Sequence, residues 1–351
     1  MKYSIFFVSF FFLPICLLYS QIDKLQIDYK KEKVILFGEN HDVLENYEIK
    51  DMVIKKVLSE YNGNINILLE YPKSIEYFIC KNDSSGLKNY FNNIYNEKSE
   101  PSNYFKLKYQ FIVDIKNLIR NDKLKIVCVD RENHLRALAY TCSIILNNYK
   151  ENEFIYYYKT FLDSLLNKNI LKQNDYTDFE DKFRVVLNNH IMKFNEIISD
   201  TTDFYFLKEI LVNPLQIYDF DTRERILYNN FNKEEYRESF CIGFLGSAHI
   251  NKYYYKKNKI FGINNSLAVL LSKNKNSFFK NKIKTILIAN YKYDNKPNTK
   301  LLGFNNEEFQ LLIELCKNKN SILINPKDYK MKFAAKAYDF ILFIDNATRI
   351  K

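Results

Sequence analysis

The chain is poor in the residues that interrupt or cross-link a fold, with 7 Gly, 6 Pro and 6 Cys among 351 residues. No Pro-rich or Ser/Gly-rich tract occurs, so nothing in the composition marks a linker between domains. No repeat of roughly 20 to 50 residues is visible, which excludes solenoids and propellers. Five cysteines follow residue 20, Cys80, Cys128, Cys142, Cys241 and Cys316, an odd number without C-x-x-C spacing. Neither a disulfide framework nor a zinc knuckle is expected from this pattern. Cys128 and Cys241 lie within apolar runs, where a free thiol behaves as a small hydrophobe.

Charge of one sign is in excess without being concentrated. The net charge is +10, yet the lysines are spread along the whole chain. The densest stretch, Lys252-Tyr253-Tyr254-Tyr255-Lys256-Lys257-Asn258-Lys259, reads as a solvated loop or helix end rather than a patch that stacks on bases. Nucleic acid is therefore not an expected partner. The longest apolar run, Ile5 to Leu18, follows Met1-Lys2 and contains Pro14. It is short beside the roughly 20 residues of a membrane span. With Ser20 before Gln21 as a cleavage point, residues 1–20 read as a signal peptide. Export to a periplasm or the extracellular space follows as the expectation. Two alternatives, a retained anchor and lipidation at Cys16, would tie the chain to a membrane.

Residues 21–351 then form a single domain, long but within reach of an α/β core carrying an insertion. Short runs rich in Ile, Val and Phe occur at Val34–Phe37, Ile65–Leu69, Leu124–Val129, Phe240–Leu245, Lys284–Ala289, Ser321–Ile324 and Phe340–Ile344. Their length and polar borders predict interior strands of a mostly parallel sheet. Between them, Val43–Glu60, Asn103–Arg120 and Asn305–Asn318 carry apolar residues at helical spacing, as crossover helices must. No strand-like run stands between 134 and 232, so this part of the chain is predicted to be a helical insertion, placed to roof the site.

Histidine is scarce as well, and two of the four occur in one short pattern. Gly38-Glu39-Asn40-His41 and Gly246-Ser247-Ala248-His249 each follow a predicted strand. About 0.08 chance matches to G-x-x-H are expected at this composition, so a pair is informative. A glycine at the strand end is expected to let the chain turn sharply and present the following side chains at the carboxyl edge, where open α/β sheets bind ligands. The other strands add to that edge: the second ends in Glu70, and the third in Asp130-Arg131-Glu132. If the four strands are neighbours, at about 4.8 Å spacing, these groups converge within about 15 Å.

Two chemistries use such a set. His41, His249, Glu39 and Glu70 could hold one divalent ion, Zn, Mn or Co, with a position left for water. Without a metal, one histidine deprotonates water, a carboxylate fixes its tautomer, and Arg131 or the second histidine stabilises the oxyanion. The competing structural reading makes each residue a buried, hydrogen-bonded group at a strand end. For His134 and His190, in helical polar surroundings, that reading is the better one.

Gly38-Glu39-Asn40-His41-Asp42 resembles the G-E-x-H start of haem-uptake ChaN proteins, and the paired G-x-x-H elements with Glu70 are similar to the TraB/Tiki pattern. Arg223-Glu224-Arg225-Ile226-Leu227-Tyr228-Asn229 resembles the R-D-x-x-M-x-x-N helix of the erythromycin esterases, with Asn230 at the position of the motif's Asn. Tyr338-Asp339 before Phe340–Ile344 is similar to the closing strand of that family. The resemblance to the erythromycin esterase, ChaN and TraB/Tiki superfamily runs from Val34 to about Thr348. It implies an α/β fold with a helical insertion and site roles for Glu39, His41, Glu70 and His249, and it adds Arg223. The erythromycin esterases space their Glu and His one residue further apart. Activities within the group differ, so the resemblance implies two roles: a hydrolase acting on an ester or peptide bond of a small molecule or peptide, and, as the alternative, a binding protein for haem or another ligand.

Overall fold

The computed structural model describes residues 18, 20–41, 43–98, 103–118, 123–213, 215, 219–253, 265–298 and 304–350. Nearly all of the signal-like segment, including Cys16, lies outside the described residues, as do Asp42 and residues 254–259 of the lysine-tyrosine stretch.

Among the described residues, eight strands form one sheet: β1 (Val34–Glu39), β2 (Ile65–Pro72), β3 (Leu124–Asp130), β4 (Phe240–Gly246), β5 (Ile283–Tyr293), β6 (Lys296–Pro297), β7 (Ser321–Ile324) and β8 (Phe340–Ala347). Their order is β3-β2-β4-β1-β5-β8-β7, with β6 on β5. β1 pairs in parallel with β4 and β5, β2 with β4, and β5 with β8, whereas β7 and β6 run antiparallel to β8 and β5. All six residues of β1 are buried. That is the signature of a strand covered on both faces, and it explains a continuous apolar run in place of alternation. Every apolar run taken as a strand is one; β6, two exposed residues long, has no such run to announce it. The fold is α/β with a mostly parallel central sheet.

The chain divides into two compact units. The first comprises Met1–Leu69, Asn121–Lys125 and Phe231–Lys351 and holds most of the sheet. Its helix Glu45–Glu60 buries Ile49, Met52, Val53, Ile54 and Val57 along one stripe, and Glu45 and Glu48 in its first turn favour the positive helix end. The entry to this helix is tied to the carboxyl-terminal segment. Val43 bridges Arg349, the Leu44 amide donates to the Thr348 carbonyl at 3.0 Å, and Glu45 accepts from the Thr348 amide and hydroxyl.

The second unit comprises Glu70–Arg120 and Ile126–Asn230. It contains the carboxyl ends of β2 and β3, and among the described residues its other regular elements are helices, joined between Leu135 and Asn230 by short turns. Aromatic side chains make much of its core. Phe179 stacks on Phe183 at 4.8 Å, Tyr158 meets Phe183 edge-on at 5.5 Å, and Phe154 lies 4.6 Å from Phe194. Of the described cysteines, Cys128, Cys142, Cys241 and Cys316 are buried and Cys80 is exposed.

Candidate functional site

In the first unit the two G-x-x-H elements are brought side by side by strand pairing. β1 and β4 are parallel neighbours, with Gly38 opposite Leu245 and Glu39 opposite Gly246, and the Ser247 amide donates to the Glu39 carbonyl at 3.0 Å. The reason for glycine at position 38 differs from the sequence expectation. Gly38 is a buried strand residue whose backbone is not in the left-handed region. What it supplies is space: a Cβ there would run into the Ile250 side chain, with Cδ1 at 2.6 Å, and sit 3.0 Å from the Ser247 Cα. The close approach of the β4 turn, and not a sharp turn of its own, requires the missing side chain.

Past Glu39 the chain leaves the sheet and presents His41, which is about two-fifths exposed, with Nδ1 3.3 Å from Oε1 of the buried Glu39. The turn is fixed on both sides. The Asn40 carboxamide donates to the Tyr293 hydroxyl on β5, and the Asn46 carboxamide donates to the Asn40 carbonyl. His249 is buried at 4% exposure; its amide donates to the Gly246 carbonyl and its carbonyl accepts from the Ala268 amide, both within 3.0 Å.

The same Glu39 oxygen that faces His41 also accepts from the Lys50 ammonium at 2.7 Å, and both side chains are buried. Lys50 lies 4.7 Å over the Tyr47 ring as well. Burial alone would push the Glu39 carboxyl up, but the Lys50 charge and the His41 hydrogen bond outweigh it and hold the carboxyl below its ordinary value. Tyr47 is driven upward by burial and by the Glu39 charge. Lys50 escapes a sequence reading that looks only at strand ends. A signal existed: Asn46, Lys50, Val53 and Val57 share one helical stripe, and two polar residues on an otherwise apolar face call for a buried partner.

In the second unit Glu70, Asp130 and Arg223 form one ionic cluster. Arg223 donates through Nε and Nη2 to the two Asp130 oxygens at 3.0 and 2.7 Å, and through Nη2 to Glu70 Oε1 at 2.5 Å. Burial works against the guanidinium charge, but the hydrogen bonds with Asp130 and the fields of Asp130 and Glu70 raise its affinity for the proton. The Arg131 amide donates to Asp130 at 2.8 Å, while its guanidinium donates to the carbonyls of Glu132 and Leu215. Burial and the neighbouring Arg223 push Arg131 down. Asn230, on the same helix Phe220–Phe231 as Arg223, is buried and donates at 3.0 Å to the Val129 carbonyl and to Asn213. It holds the end of β3 from which Asp130 projects. Of the remaining histidines, His134 precedes the helix Leu135–Asn147, and His190 meets the Tyr158 hydroxyl at 3.2 Å and the Phe154 ring edge-on.

A divalent ion would need several of these donors free and gathered. Among the described residues, no group of three or more His, Cys, Asp and Glu side chains is placed to share a metal ion. Glu39 also already carries the lysine ammonium as its cation.

The class that this sheet defines is that of open α/β folds with a mostly parallel central sheet. The particular fold is erythromycin esterase-like. The chain is similar in structure to a histidine-to-asparagine mutant of the erythromycin esterase EreC in its open conformation, with 13% identity and a TM-score of 0.62 over 95% of this chain and 97% of that one. It is also similar to a protein from Bacillus cereus, at 10% identity and a TM-score of 0.56 over 91% and 90% of the two chains. A third likeness, to a succinoglycan biosynthesis protein, has 13% identity and a TM-score of 0.56 over 96% and 98%. At such identities the likeness establishes the fold. No protein-family model and no curated protein sequence matches the chain.

Proposed function

We propose that the chain is an exported hydrolase in which His41, oriented by Glu39, activates water for attack on an ester or peptide bond of a small-molecule or peptide substrate. The observation that carries this reading is the contact between His41 Nδ1 and Glu39 Oε1 at 3.3 Å, made by an exposed imidazole on a buried carboxylate. A carboxylate there holds the proton on Nδ1 and leaves the basic lone pair on Nε2, the tautomer a general base requires. As a water proton moves to Nε2, the imidazolium that forms is stabilised by the carboxylate it already faces.

The electrostatics support separate duties for the carboxylates. Glu39 is held as an anion by Lys50, so it orients and stabilises rather than taking the proton itself. Glu70 and Asp130 are committed to Arg223. In this reading they hold the Arg223 guanidinium charged and in place. His249, at the end of the neighbouring strand, is the second imidazole of the first unit and is assigned to substrate or oxyanion binding. The signal-like residues 1–20 support export.

The test is hydrolysis of p-nitrophenyl acetate and of a fluorogenic peptide by residues 21–351, in wild type, His41→Gln and Glu39→Gln. Loss of at least about 100-fold in kcat for His41→Gln, with the melting temperature kept, is the expected result for a general base. Hydrolysis of either probe that survives His41→Gln unchanged overturns the assignment.

A further inference from the structure

Glu39 has a second oxygen that the mechanism above does not use. Oε2 is buried and has no hydrogen-bond partner, and the same holds for Asn46 Oδ1 and for both polar atoms of the Asn290 carboxamide. All three residues belong to the first unit, at 4%, 1% and 0% exposure. Four uncompensated buried polar atoms would cost roughly 1 to 3 kcal/mol each, an expense that native cores seldom carry.

The register places these atoms on one side of the sheet. Phe37 of β1 stands opposite Ile286 of β5, so Glu39, two residues on, shares a face with Ile288 and Asn290. Phe244 of β4 is opposite Phe37 and its ring stacks on Phe37 at 5.4 Å, on that same face. The Lys50 ammonium reaches Glu39 at 2.7 Å and lies 6.0 Å from the Phe244 ring, so the helix Glu45–Glu60 covers this face with the stripe that carries Lys50. Asn46, one turn before Lys50, lies on that stripe and is pinned to the Asn40 carbonyl next to Glu39. The face that this helix covers at Glu39 is thus the one to which Asn290 also belongs, and the unpartnered polar atoms of all three side chains are buried.

Their chemistry specifies the occupant. Glu39 Oε2, as part of an ionised carboxylate, and Asn46 Oδ1 only accept, so neither satisfies the other. Asn290 offers a donor, Nδ2, and an acceptor. The set holds three acceptors and one donor, so one water, donating twice and accepting from Nδ2, answers three of the four atoms with the three hydrogen bonds typical of a buried site, and a second water answers the fourth. A metal ion would compete with the lysine charge already on Glu39.

We infer that Glu39 Oε2, Asn46 Oδ1 and the Asn290 carboxamide hold buried water, and that Asn290 is thereby a positioning residue which keeps Glu39 ionised and oriented toward His41. The water donates to the carboxylate from the side opposite Lys50, so both Glu39 oxygens are satisfied. This holds whether or not the chain is a hydrolase, because its readouts are electron density and a carboxyl titration.

The experiment is a high-resolution crystal structure of the full mature chain, together with Asn290→Leu, a change of similar volume without polar atoms. The structure should show ordered water within hydrogen-bond distance of Glu39 Oε2 and the Asn290 carboxamide. In Asn290→Leu the melting temperature should fall by several degrees, and the Glu39 carboxyl, followed by carbon-13 NMR, should titrate at higher pH. A dry, close-packed region in the crystal overturns the inference even if the variant does not fold. So does a variant that melts higher with Glu39 unmoved, the outcome for a polar group that was merely stranded in the core.

Discussion

Replacing Lys50 by Met removes a charge from the core and leaves the carboxylate it neutralises behind. Glu39 and Lys50 are 3% and 7% exposed at their side chains, so solvent does little to screen the loss. Breaking a buried ion pair from one side typically costs about 3 to 5 kcal/mol. Protonation limits that cost, because the carboxyl can neutralise itself. From an ordinary carboxyl value of 4.5 up to pH 7, taking up a proton costs about 1.36 kcal/mol per pH unit, or about 3.4 kcal/mol in all. The sign with pH follows. In wild type the Glu39 value is depressed, so its contribution is present above 4.5 and is lost as pH falls through the lower folded value. In Lys50→Met burial is no longer opposed by the lysine and the folded value rises. The variant is therefore penalised little below 4.5 and progressively more as pH increases toward 7. Urea unfolding of both proteins at several pH values from 4 to 8 measures the gap. It should widen to about 3 kcal/mol at pH 7 and narrow again in the double variant Glu39→Gln/Lys50→Met, in which no charge is stranded. A gap that is constant with pH, or below about 1 kcal/mol at pH 7, would refute the buried-pair account.

Arg223→Met should destabilise the second unit by about 3 to 5 kcal/mol in urea unfolding, since Glu70 and Asp130, 8% and 3% exposed, would face one another without their cation. Adding Asp130→Asn should recover part of the loss, and a single variant as stable as wild type would refute the cluster. Gly38→Ala should cost about 1 to 3 kcal/mol by overpacking against Ile250 and Ser247, read as a lower melting temperature; an unchanged one would show that the β4 turn can yield. Glu132 is buried, accepts from the Ser74 amide and hydroxyl at 2.9 and 2.6 Å, and is pushed up to about 7 by burial. Its folded value exceeds 4.5, so its contribution is full below 4.5 and lost as pH rises through about 7. Glu132→Gln should flatten the stability profile over that window, and a profile with the wild-type slope would count against a raised Glu132.

Much of the architecture was legible because parallel strands buried on both faces must be continuous apolar runs, and seven of them stand out against polar borders. The G-x-x-H elements were visible for a related reason: scarce residue types recur after such runs. Arg223 was reachable only through a resemblance, as nothing in the composition of its helix distinguishes it from Arg225. Other facts depend on which strand lies beside which. Adjacency of β1 and β4 sets the two histidine turns together, and the approach of Ser247 and Ile250 explains Gly38 better than its own backbone does. Pairing of β1 with β5 puts Asn290 on the face of Glu39, although 251 positions separate them in the chain. Periodicity is a local property, and it sufficed to mark the elements and the residues at strand ends. Tertiary structure alone decided the partners, Lys50 for Glu39 and Arg223 for Glu70 and Asp130. The physical reason is that a buried charge is tolerable only beside its counter-charge, and a contact between distant segments follows from strand order, which local propensity does not encode.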